Sequence, residues 1–290
     1  MRNLIRLGTA SAFALCLAGA PARGQGDDVA FDFKMSGTNM SNGTEKKGES
    51  TGHAIMSKGR MRLEMSGNSP MGNIPGLSQG EATILILPDT GRTFLILQPS
   101  KHQYMSINPS AMIEGLQKMM EGMGQTMTLE LTGDDPVVEN LGAGPDILGH
   151  HTHHWRTTST TKVKVGVMGQ SQTTEATTVV DQYIAPDVRN LDDPFRGLQR
   201  NPMADMFGSG AKDYLEKMQA ARKKLPAGSP LRTEQKTKIN ANGRESNASS
   251  VSEVTKISSV RATDDMFKVP SDYTQVKLPM MPGGRDSTSH

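Results

Sequence analysis

Along residues 29–36, Val29, Phe31, Phe33 and Met35 alternate with Ala30, Asp32, Lys34 and Ser36. A period of two is the pattern of a strand that buries one face and wets the other. The same alternation returns in Met61, Leu63 and Met65 against Arg60, Arg62, Glu64 and Ser66. Between them, Ser50–Lys58 reads as a further strand, and Lys58-Gly59 supplies the turn into its successor. One-sided strands joined by tight turns build antiparallel sheets, so the chain is expected to open as a meander.

Two more apolar runs, 82–87 and 93–97, flank Pro88-Asp89-Thr90-Gly91-Arg92, a hairpin signal, and Tyr104–Ile107 continues the sheet. The period then changes. Met112, Leu116, Met119, Met120 and Met123 recur at helical spacing, with Ser110 as N-cap and Gly122 and Gly124 at the end. Alternation resumes at Met127, Leu129 and Leu131, and Val137–Leu141 is expected to pair back. Threonine-rich residues 157–167 and 173–184 read as a long hairpin around Gly169-Gln170-Ser171, their β-branched side chains favouring strands. Asn201-Pro202 starts a second helix with its firm part at Ala211–Leu225, interrupted by Gly208 and Gly210, and Pro226 and Gly228 stop it. Leu231–Ile239 and Ser246–Val260 flank Asn242-Gly243, a pair suited to a type I′ turn. The fold class expected is α+β, mainly β, with two helical insertions.

Arg2 and Arg6, the apolar stretch 7–17 and Ala20-Pro21-Ala22 have the layout of a secretory signal peptide, with cleavage expected after Ala22. The apolar run is shorter than the ~20 residues that span a bilayer, so a periplasmic or secreted protein without an integral membrane segment is expected. The domain is expected to occupy 23–278, and 279–290 to form a disordered tail. Cys16 is the only cysteine and lies within the signal stretch, which excludes a disulfide framework or a cysteine nucleophile from the mature chain. The formal charge is +2, carried by Arg2 and Arg6, so the mature chain is near neutral and nucleic acid is not an implied partner. Aromatic residues are 4% of the chain while methionine numbers 20, so the core must draw heavily on adaptable thioether side chains.

Five separated fragments carry a resemblance: residues 57–64 (Ser-Lys-Gly-Arg-Met-Arg-Leu-Glu), 100–104 (Ser-Lys-His-Gln-Tyr), Ile147-Leu148-Gly149-His150 leading into Trp155, 225–232 (Leu-Pro-Ala-Gly-Ser-Pro-Leu-Arg) and 266–273 (Met-Phe-Lys-Val-Pro-Ser-Asp-Tyr). Their order and spacing resemble an uncharacterised family of exported bacterial proteins, related to the periplasmic lipoprotein carriers of the LolA and LolB type. The resemblance implies a curved antiparallel sheet forming an unclosed barrel, with helices on its concave side over an apolar cavity. In the carriers such a cavity takes acyl chains.

No His-Glu-x-x-His helix and no phosphate-cradling glycine loop between a strand and a helix is present, and neither an enzyme nor a cofactor is expected. The leading expectation is an envelope protein that takes a lipid or a lipoprotein acyl chain. Its candidate wall combines Phe31, Phe33, Met61, Leu63, Ile84, Ile86, Phe94 and Ile96 with Met112, Leu116, Met119 and Met123 of the first helix. All twelve would serve an ordinary core equally well, which leaves a structural or stress-related module without ligand as one alternative. The other is zinc or copper binding by the cluster His150, His151, His153 and His154. On a strand, His151 and His153 share a face as two neighbouring imidazole ligands, with His53 and His102 as unplaced further candidates.

Overall fold

A computed structural model describes residues 28–41, 44–68, 81–87, 94–107, 127–167, 170–189, 191, 208–241 and 243–276. The signal stretch, the first expected helix and the tail lie outside these residues. The meander is β1 (Asp28–Ser41), β2 (Thr44–Ser57), β3 (Arg60–Asn68), β4 (Ala82–Ile86), β5 (Phe94–Gln98) and β6 (Gln103–Ile107). There follow β7 (Met127–Gly133), β8 (Val137–Ala143), β9 (His153–Val167), β10 (Gln170–Ala185), helix α1 (Gly208–Arg222), β11 (Ser229–Ala241), β12 (Arg244–Ser259) and β13 (Thr274–Gln275).

All thirteen strands join one curved, unclosed sheet in the order β13-β6-β5-β4-β3-β2-β1-β12-β11-β10-β9-β7, with β8 sharing the outer edge of β9. Every pairing is antiparallel except that of β13 with β6. The short turns set the register. Lys58 and Gly59 have φ of 50° and 78° between the paired residues Ser57 and Arg60, as a type I′ turn requires. Gly243, φ 75°, belongs to the two-residue loop that lets Ala241 face Arg244. The threonine-rich hairpin is longer than expected: β9 and β10 pair from Ile184↔His153 to Gln170↔Val167.

Because residues paired across strands share a face, the register defines an apolar row Phe31–Ala54–Leu63–Ile84–Ile96–Met105 running from β1 to β6. This row and its neighbours on the same face are buried; Leu63 and Ala54 are 0% exposed and Phe31 and Phe33 2%. Gly52 belongs here because a Cβ would lie 2.3 Å from Cζ of the Phe33 ring. The core continues through Val254 of β12 and Leu231 of β11 to Val188 and Leu191.

Helix α1 packs on that same face at the far end of the sheet, against β7 and β9. Ala211 and Tyr214 close on Leu131 and Val163, and the Tyr214 ring lies over Gly133, where a Cβ would come within 2.4 Å of it. Lys217 donates to the Gly133 carbonyl (3.3 Å) and pairs with Asp135 and Asp213. The expected firm part, Ala211–Leu225, is shifted by three residues. Gly208 and Gly210 sit in the first turn rather than breaking the helix, because glycine costs least at a frayed end. This is the substantial helix among the described residues; the first of the two expected insertions falls outside them.

Candidate functional site

Of the twelve expected wall residues, the structure places eight. Phe31, Phe33, Met61, Leu63, Ile84, Phe94 and Ile96 are buried members of the apolar face, and Ile86 is half-buried and packs against it. The alternation that suggested them therefore names one continuous surface. Met112, Leu116, Met119 and Met123 lie outside the described residues.

The histidine cluster does not converge. His150 Nδ1 lies 2.6 Å from Asp187 Oδ2, His151 Nδ1 2.6 Å from Asp146 Oδ1, and His154 Nε2 2.9 Å from Asp181 Oδ1. His153 and His154 start β9 and point to opposite faces, while His151 precedes the strand at 90% side-chain exposure. Three imidazoles thus have three separate carboxylate partners, and among the described residues no group of three or more His, Cys, Asp or Glu gathers as a metal would require. The expectation of a metal pair at His151 and His153 is corrected accordingly. His53 and His102 are likewise paired elsewhere, with Asp32 (2.5 Å) and Asp272 (2.6 Å).

The opposite face of the sheet is polar and organised. Across β1, β12, β11, β10 and β9 runs a connected set: Lys34–Glu253 (3.2 Å), Glu253–Arg232 (3.6 Å), Arg232–Glu234 (2.7 Å), Arg232 over the Tyr183 ring (5.7 Å) and Tyr183 stacked on His154 (4.6 Å). It ends on Asp181, the buried member, which accepts from His154 and bidentately from Arg156 at 2.8 and 3.0 Å. Burial acts to raise the Asp181 carboxyl, but the hydrogen bonds from Arg156 and His154, with their charges, outweigh it and hold the group below the ordinary carboxylate value. The same bond raises the Arg156 guanidinium further above its usual range.

On this polar face the chain end crosses the first half of the sheet as a strap. Phe267, in a 3-10 turn at Asp264–Phe267, is buried with Ala30 and Ile55 beneath the Arg60 guanidinium, 4.4 Å from the ring centroid. Arg60 pairs with Asp264 (2.8 Å) and Arg62 donates to the Met266 carbonyl (2.9 Å). Beyond Pro270, Thr274 and Val276 donate to the carbonyls of His102 and Tyr104, and Asp272 meets His102. Between strap and sheet lies a groove of about 750 Å³. Its floor includes the cross-strand row Asp32–His53–Glu64–Thr83–Leu97, flanked by Lys34 and Arg62, and Pro270 and Tyr273 stand on the strap side. The sequence shows Asp32, Lys34, Arg62 and Glu64 only as the wet side of two strands; the arrival of residues 264–276 over them is a tertiary fact with no local signal.

An unclosed sheet with one apolar face, one polar face and a helix at the far end is the class of protein these observations define. Residues 37–273 match the family described as Domain of unknown function (DUF4412), and the chain belongs to it. No curated protein matches the chain. Among solved structures, one titled PNGF-II in space group P21 is 13% identical over 86% of this chain and 32% of its own, at a TM-score of 0.26. This chain thus spans about a third of that one. A putative outer membrane lipoprotein-sorting protein domain from Vibrio parahaemolyticus is 7% identical, with 84% of this chain and 90% of that one covered and a TM-score of 0.28. A DUF1329 family protein from Desulfovibrio piger has the same identity and score, with 84% and 91% covered. Similarities this low transfer neither fold nor activity. Among the described residues no helix is long and apolar enough to cross a membrane.

Proposed function

We propose that this is a non-enzymatic envelope protein that takes an apolar or amphiphilic ligand, an acyl chain, against the apolar face of its unclosed sheet. The observation that carries the reading is the continuity of that face: one row from Phe31 to Met105 crosses six strands without a polar interruption, in a sheet whose ends do not pair to seal it. Each buried methylene of a ligand is worth about 0.8 kcal/mol, so a modest length of chain supplies useful affinity. Methionines 35, 61, 65 and 105 on this face can reshape around ligands of different length. The export expected from residues 2–22 and the resemblance to lipoprotein carriers expected from the five sequence fragments support this reading.

A second reading has its own observation. The row residues are already buried to 4% exposure or less, as in an ordinary filled core, which favours a structural module without ligand. Native mass spectrometry of the exported protein, purified gently and then extracted with organic solvent, separates the two. A stoichiometric adduct of lipid mass is the result expected; a bare mass that stays unchanged after incubation with phospholipid selects the structural module.

A further inference from the structure

We propose that the groove under the C-terminal strap is a binding site for a neutral saccharide. It lies on the polar face, opposite the apolar row, so it is independent of the acyl-chain reading. Its size, about 750 Å³, is that of a small-molecule site.

The class of ligand follows from how the charges of the floor are disposed. Two pairs are compensated, Glu64 by Arg62 Nε (2.7 Å) and Lys34 by Glu253 (3.2 Å), and Asp32 is bonded to the His53 imidazole (2.5 Å). An anion entering the groove would meet the carboxylates of Asp32 and Glu81 as well. A neutral hydroxylated molecule is not repelled, and because these bonds use Oδ1 of Asp32, Nδ1 of His53 and Oε1 of Glu64, the second polar atom of each group has no partner among the described residues and can take one from a ligand. With His53 donating through Nδ1 to Asp32, three acceptors, Asp32 Oδ2, His53 Nε2 and Glu64 Oε2, are thus set side by side in one cross-strand row, held in orientation by their own partners before any ligand arrives. Adjacent hydroxyls on a sugar ring can donate to the carboxylates and the imidazole together. Tyr273 and Pro270 supply the amphipathic wall against which the C–H side of a sugar ring can lie. The β1–β12 register also shifts between Asp32 and Phe33, where Thr255 is the extra residue and lines the groove. Bulges of this kind re-aim side chains beside binding sites.

The experiment is saturation-transfer difference NMR on the exported protein with cellobiose, maltotriose and chitobiose, and with triglycine and inorganic phosphate as comparison probes. Transfer to at least one sugar and to neither comparison probe is expected, with the His53 ring protons shifting on titration. Binding should weaken at least tenfold in Tyr273→Ala and in Glu64→Gln. No transfer to any of the three sugars overturns the proposal, as does transfer that survives both substitutions or is equalled by triglycine or phosphate. The His53 shift, read on the unmodified protein, keeps the test decisive if a variant fails to fold.

Discussion

Replacing Asp181 with asparagine tests the polar network at its most buried point. The carboxylate is 7% exposed and accepts three hydrogen bonds, two from Arg156 and one from His154. Asparagine keeps the shape but turns one acceptor into a donor, which then faces a donor of Arg156 or His154. Hydrogen bonds to charged groups are each worth about 1.5–3 kcal/mol. The Arg156 side chain is 40% exposed and recovers water when released, so the total loss is discounted to about 2–3 kcal/mol. For a chain of this size that is a fall in Tm of about 4–12 °C. The pH dependence has a definite sign. A carboxyl held below its unfolded value contributes stability that is fully present above about pH 4 and is lost as the pH falls through the folded value. Thermal unfolding of both proteins from pH 7 to pH 3, followed by circular dichroism, should therefore show a gap that is constant near neutrality and narrows in acid. A gap below 1 °C at pH 7, or one that persists unchanged at pH 3, would refute the reasoning.

Three further outcomes follow from the packing. Leu63→Ala removes a fully buried side chain from the middle of the apolar row and should cost about 2–5 kcal/mol by urea denaturation, whereas Val137→Ala on exposed β8 should stay within about 0.5 kcal/mol. In Gly133→Ala the new methyl meets the Tyr214 ring and, at 2.8 Å, the Thr160 carbonyl, so α1 should loosen from β7 and exchange its amide hydrogens faster than the β1–β2 pair does. Phe267→Ala should free the strap, seen as new protease cleavage between residues 264 and 276 while the remaining sheet stays protected.

What the sequence reveals and what it hides divide along physical lines. Alternation identifies β1 and β3 and their buried faces because the period-2 pattern is local. Lys58-Gly59 and Asn242-Gly243 mark their hairpins because the turn geometry demands particular residues. The expected helix start at Asn201-Pro202 lies outside the described residues, whereas tertiary contact of Ala211 and Tyr214 with Leu131 and Val163 fixes where α1 packs, a fact with no local signal. The histidine cluster misleads for the opposite reason: proximity in sequence suggests shared ligation, yet the carboxylates that engage His150, His151 and His154 come from 37, 5 and 27 residues away. The groove is least legible of all, since it needs both the β1–β5 register and a strap that returns to the sheet some 200 residues after Arg60 and Arg62.

The most direct test of the account is the mass of the protein before and after lipid extraction. A stoichiometric lipid adduct that extraction removes and phospholipid incubation restores is predicted. A single bare mass under all three conditions would contradict a carrier and leave the apolar row as a filled core.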